Sequence, residues 1–275
     1  IDAFVIRVEA DGGTVESTAC LETDLTYLTE NPVAPSFTGL LNDYSGAAAA
    51  YSLRLLDNTY SGNAVRVRRA SDNTEQDIGF ANNELDTTSL ETFCSGTDGF
   101  VTTWYDQSGN AANAANATAA KQPKIVSSGT SLGYIQNLPS GQLLKSSFSY
   151  TASNPFSAFM VVQNFGDAVF GGTESGGIYY AVATAGSFGS AQNGMDSIFY
   201  YNNGSSIGAT RGDISTATSS FAELTTLATP VSTIGMWLGY PSGFNSIRMQ
   251  EYIVYDNQTI SRTGVETNII DHYNF

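Results

Sequence analysis

The spacing of apolar positions changes near residue 30, and the elements it predicts change with it. Phe4, Val5 and Val8 recur at helical spacing, Gly12 and Gly13 interrupt, and Ala19, Leu21, Leu25 and Leu28 resume the pattern behind the caps Thr14 and Ser17. A helical hairpin over residues 1–30 is expected. Two such helices bury too little surface to stand alone, so the hairpin would serve attachment or packing. Asn31-Pro32-Val33-Ala34-Pro35 disfavours helix and reads as a stiff linker over 31–37.

From residue 38 to residue 275 the pattern is mostly that of strands. Phe100, Val101, Thr102, Thr103, Trp104 and Tyr105 are all aromatic or β-branched, which suits a pleated surface. Ala64-Val65-Arg66-Val67-Arg68-Arg69 alternates apolar and basic residues, placing Arg66 and Arg68 on one face, and Gln76 to Phe80 forms a second short strand. Further strands are expected at Phe156–Phe165, Ile178–Val182, Ser197–Tyr201, Met236–Gly239 and Gln250–Tyr255, with a turn at Asn203-Gly204. Three helices interrupt them. The alanine run leading into Leu53, Leu55 and Leu56 predicts one over 47–56, and Asp86 or Thr87 caps another through Leu90 and Phe93. Ser261 caps a terminal helix through Val265, Ile269 and Ile270.

Composition agrees with a large all-β sandwich: 41% hydrophobic residues, only 13% charged, 15 Tyr and 15 Phe. The net charge of −15 opposes attraction to phosphate backbones or anionic lipid, so nucleic acid is not an expected partner. No apolar run of about 18 residues predicts insertion in a membrane. Cys20 and Cys94 are read as two buried free thiols, and one histidine, His272, gives no basis for a zinc site. Arg66 and Arg68 either hold a carboxylate or sugar by their forked donors or pair with Asp72, Glu75 or Asp77; the second reading is preferred.

Several of these stretches together resemble the N-terminal part of the catalytic domain of the α-L-arabinofuranosidase B family. They are Ala50-Tyr51-Ser52-Leu53-Arg54, Val65 to Arg69, Asp77-Ile78-Gly79-Phe80, Thr92-Phe93-Cys94, and Thr103-Trp104-Tyr105-Asp106-Gln107-Ser108-Gly109-Asn110. The same block is similar to one in proteins of tailed phages and marine bacteria. The resemblance implies a mainly β, concanavalin-like jelly-roll sandwich of two sheets, with a few short helices beside the N-terminal hairpin. It also implies a retaining glycosidase, which needs two carboxyls about 5–5.5 Å apart. In the family the nucleophile lies in a Met-Glu-Asn-like stretch, where this chain reads Asn193-Gly194-Met195-Asp196-Ser197 and Asp196 is the candidate. The acid lies in a Gly-Gly-Asp-Asn-like turn, where this chain reads Trp237 to Asn245 without a carboxyl.

A missing proton donor removes the step that makes the leaving group viable. The main expectation is therefore a non-enzymatic structural protein, virion-associated or exposed on a surface, of phage decoration, tail or appendage type. Its sandwich would be lectin-like, meeting other particle proteins or a second copy and binding cell-surface glycan. An arabinofuranosidase-like hydrolase is the alternative. Sugar stacking would fall to Trp104, Tyr200, Tyr201 and Tyr240, with Tyr179 and Tyr180 further candidates and Asn245 taking hydroxyls. No cofactor is required; calcium on the hard oxygens of Asp106 and Asn110 competes with a turn in which those residues bond their own backbone.

Overall fold

A computed structural model of the chain describes residues 37–137, 141–164, 169–172, 179–181, 195–207, 213, 216–230, 233–239 and 247–275. The hairpin and linker expected before residue 37, and Cys20, lie outside these residues. Thr38–Phe275 forms one compact unit.

After a single helical turn, α1 (Leu40–Asp43), the chain lays down β1 (Ala49–Ser52), β2 (Val65–Arg69), β3 (Glu75–Ile78) and a two-stranded pair, β4 (Phe80–Ala81) and β5 (Glu84–Leu85). Helix α2 (Thr87–Phe93) leads into β6 (Gly99–Trp104), β7 (Ala114–Ala115), β8 (Lys124–Ser127), β9 (Thr130–Asn137), β10 (Leu143–Tyr150) and β11 (Phe156–Gln163). The remainder comprises β12 (Val169–Gly172), β13 (Tyr179–Ala181), β14 (Met195–Asn202), β15 (Ser205–Ile207), β16 (Ala222–Pro230), β17 (Ile234–Gly239), β18 (Ile247–Tyr255) and the terminal helix α3 (Arg262–Tyr273).

Among the described residues sixteen strands join in one antiparallel network, ordered β13-β12-β17-β10-β7-β6-β8-β9-β18-β11-β16-β14-β15, with β1 on β18, β2 on β6 and β3 on β2. The network doubles over on itself. Val65, Val67, Val101, Trp104, Leu144 and Met236 from one half share a core with Tyr51, Ala158, Met160, Leu224, Tyr252 and Val254 from the other. This is the expected two-layer sandwich.

Strand β11 shows why one half is covered twice. Phe156, Ala158, Met160 and Val162 point into the sandwich, while Phe159 and Val161 join Ile253, Tyr255, Leu40, Val265 and Ile269 in a second core beneath α1 and α3. With both faces covered, the strand is buried from Phe156 to Val162 and mostly apolar rather than alternating.

The predicted helix over 47–56 is corrected. Residues 49–52 are β1, paired with β18 in the register Ala49↔Val254 to Ser52↔Glu251. All four side chains are buried. Small alanines suit a strand enclosed on both faces, and the long-range pairing overrides local helix propensity. Asp86 caps α2 as expected, its carboxylate accepting from the Ser89 amide at 2.9 Å. Ser261 stands at the N-terminus of α3 but makes no side-chain cap bond. Asn203 and Gly204 both have positive φ, 45° and 77°, as a tight two-residue hairpin between β14 and β15 requires.

Candidate functional site

The motif that follows β6 works inward, on the chain's own backbone. Asp106 accepts from the amides of Ala50 (2.8 Å), Ser108 (2.9 Å) and Ala112 (2.9 Å) and from the Ser108 hydroxyl (2.7 Å). Gln107 accepts from the Leu56 amide and donates to the carbonyls of Ser52 and Arg54, while Asn110 donates to Ala47 and Ala48. Together they hold both β1 and the chain leaving it. Both oxygens of the Asp106 carboxylate already accept from amide or hydroxyl donors, and these bonds compete with calcium for the oxygens. Among the described residues no group of three metal-ligating side chains forms.

Two of the sugar-stacking candidates are core. Trp104 is fully buried, with its Nε1 3.4 Å from the Ser52 carbonyl, and Tyr200 is 2% exposed. Neither offers a ring face to a ligand, because inward and outward positions alternate along a strand and these two point in. Tyr201 points outward, but the Arg262 guanidinium lies over its ring at 3.8 Å. Tyr179 and Tyr180 sit on β13, and Tyr240 and Asn245 lie outside the described residues. The backbone places Asp196 on β14 opposite Thr229 of β16, with a register break between Asp196 and Phe199.

The arginines of β2 behave as ion-pair partners. Arg66 faces Glu75 (3.5 Å) and Asp77 (3.4 Å), Arg69 binds Asp72 (2.6 Å), and Arg68 donates to Gln122 and Asn73. Cys94 is a buried free thiol whose pKa burial pushes up to about 11. His272 packs edge-on against Tyr273 and lies 3.3 Å from Glu84; burial, and secondarily Arg54, lowers its pKa.

Among the described residues four carboxyls are buried: Asp106, Glu251, Glu223 and Glu266. Glu251 meets Arg54 through two parallel bonds, Nε to Oε2 at 2.7 Å and Nη2 to Oε1 at 3.0 Å. Ser52 Oγ donates to it at 2.8 Å. Glu223 accepts from Thr225 Oγ1 at 2.5 Å and has no partner for Oε2. Burial, reinforced by nearby Glu266, pushes its pKa up to about 8. A protonated Glu223 beside Glu266, which the Arg262 guanidinium binds, has the electronic character of an acid and nucleophile pair. Its burial beneath α3 denies it a sugar, with exposures of 0% and 1%.

Glu223 went unnoticed in the sequence. Ala222-Glu223-Leu224 reads as an ordinary alternation with the acid facing solvent; the covering helix lies some 40 residues downstream. A hollow lined by Leu53, Glu84, Leu85, Thr87, Gly133, Gln250 and Tyr273 encloses about 130 Å³. That is below the roughly 300 Å³ at which ligand pockets begin.

Comparison with known proteins places this geometry. Residues 43–142 match the family model for the catalytic domain of α-L-arabinofuranosidase B. Three solved structures share the fold. One is a GH54 α-L-arabinofuranosidase soaked with a cyclic sulfate inhibitor, at TM-score 0.53 and 18% identity. Another is a glutamate-to-glutamine mutant of a GH54 enzyme soaked with 4-nitrophenyl α-L-arabinofuranoside, at 0.54 and 16%. The third is an arabinofuranosidase complexed with arabinofuranosyl-α-1,2-xylobiose, at 0.53 and 16%. Each match covers 82% of this chain and 62% of the other, so the chain spans about three fifths of the length of these proteins. No curated protein matches. The expectation of a virion structural protein with a lectin-like sandwich is thereby overturned. The likeness in fold covers 82% of the chain, more than the block ending near Pro123 that carries the sequence resemblance.

Proposed function

We propose that this chain is a glycoside hydrolase of the arabinofuranosidase type, releasing terminal α-L-arabinofuranosyl groups with retention through a covalent intermediate. The observation that carries the reading is the match of residues 43–142 to the arabinofuranosidase B catalytic model. The shared fold over 82% of the chain supports it.

Asp196 is the proposed nucleophile. Its carboxylate would attack the anomeric carbon as the bond to the leaving oxygen breaks, and water would then hydrolyse the glycosyl ester. A break in the register of β14 against β16 follows Asp196, and such irregularities are over-represented next to active sites. No carboxyl occurs between Trp237 and Asn245, so the leaving group would depart with little proton assistance there.

Two outcomes are expected. The purified chain releases 4-nitrophenol from its α-L-arabinofuranoside, and Asp196→Asn abolishes the release while leaving the melting temperature within a few degrees. Absence of turnover at high protein concentration would defeat the proposal. Activated aryl leaving groups should also exceed unactivated arabinosyl oligosaccharides in kcat/KM by about 10²–10⁴, the typical contribution of a positioned general acid. Equal rates would mean that a proton donor stands elsewhere in the site.

A further inference from the structure

Helix α3 covers two buried carboxyls that belong to one row of the sheet. Glu251 of β18 and Glu223 of β16 both stand opposite Val161 of the strand between them, β11. All three therefore project to the helix side. Glu251 has its charge answered by the forked guanidinium of Arg54, which also donates to Asn268 of α3 at 3.1 Å. Glu223 has no equivalent. Thr225 donates to one oxygen, the Gly204 amide lies near, and the other oxygen is orphaned.

The charged groups facing Glu223 come from α3: Glu266, itself 1% exposed, and Arg262. From β14 comes Tyr201, whose ring lies under the Arg262 guanidinium, and from β11 comes only apolar Val161. One guanidinium thus serves two carboxyls, and it is committed to Glu266 at 2.5 and 2.6 Å. With both acids ionised, the interface would hold one uncompensated negative charge on two buried carboxyls, which is costly. A proton on Glu223 removes it.

We propose that this proton is a structural part of the β16–α3 interface, so that docking of the terminal helix is proton-dependent and loosens when Glu223 ionises. Burial is the main reason that Glu223 holds its proton up to about pH 8, with Glu266 adding to the effect and Thr225 opposing it. The folded value lies above the ordinary 4.5. The stabilisation is therefore complete below about pH 4.5, declines as pH rises, and is spent near pH 8. Glu84 shifts in the same direction, and His272, whose pKa is lowered, gives the opposite slope. Both remain when Glu223 is replaced, so a difference between two chains isolates Glu223.

The test is amide hydrogen exchange of α3, followed in the full chain from pH 5 to pH 8 and corrected for intrinsic exchange. The opening constant of Val265 to Ile270 should rise by up to about tenfold per pH unit, the limit for one linked proton. Glu223→Gln, a neutral mimic of the protonated acid, should abolish most of that rise. Flat protection in the parent chain, or the same slope in Glu223→Gln, would overturn the proposal. A Glu223→Gln chain that fails to fold would also overturn it, because the amide supplies the neutral form that the interface is said to require.

Discussion

The buried pair of Arg54 and Glu251 separates what geometry stabilises from what it merely tolerates. Arg54 is 6% exposed and Glu251 is 0% exposed. Their forked contact, the Ser52 hydroxyl and the Arg54–Asn268 bond together satisfy nearly every donor and acceptor in the group. Two ions taken from water gain little net energy from meeting, but breaking one side leaves the other charged and buried. Arg54→Met should therefore cost about 3–5 kcal/mol in chemical denaturation. The double change Arg54→Met with Glu251→Leu should recover most of that loss. If the double variant is as unstable as the single one, packing around the Arg54 stem, rather than the stranded Glu251 charge, carries the cost. Asp106 differs: its partners are three backbone amides and the neutral Ser108 hydroxyl, so it fixes chain direction rather than charge balance.

At the scale of elements, legibility tracked how local the deciding contacts are. Strands β6, β14, β17 and β18, the Asp86 cap and the Asn203-Gly204 turn announce themselves within a few residues of sequence. Strand β1 does not. Its alanines favour helix until β18, some 200 residues later, offers them a partner. The same distance hides the Arg54–Glu251 contact, which no spacing rule connects. Alternation also fails to say which face is the core once both faces are covered. Thus Trp104 and Tyr200 suit a sugar site by residue type yet lie inside the sandwich, while Tyr201, one residue on, faces Arg262. Glu223 looks like a solvent-facing acid for the same reason. The Tyr105-to-Asn110 motif identified a relationship correctly, but its residues build the frame of β1 rather than a reacting centre.

For the molecule as a whole, the distribution of carboxyl environments and the net charge of −15 make a joint statement about pH. Asp98, paired first with Lys124, and Asp86, bonded first to the Ser89 hydroxyl, have lowered pKa values. Their stabilisation is present above about pH 4 and is lost as acid protonates them in the fold. Glu223 and Glu84 are raised by burial, so their contribution runs the other way and fades as pH rises above about 4.5, for Glu223 as far as about pH 8. Self-repulsion among 26 acids against 11 basic residues grows over the same range as the last carboxyls ionise. The three trends cross in mild acid. Thermal unfolding should be most resistant near pH 5, with the melting temperature falling toward pH 8 and toward pH 3. Salt should separate the causes. Raising ionic strength to about 0.5 M screens exposed charges but reaches a buried group poorly, so it should restore part of the loss at pH 8 in both the parent and Glu223→Gln. The part that salt leaves and Glu223→Gln removes belongs to the proton beneath α3. A melting temperature that climbs steadily from pH 5 to pH 8 would mean that the raised carboxyls do not govern the stability of this fold.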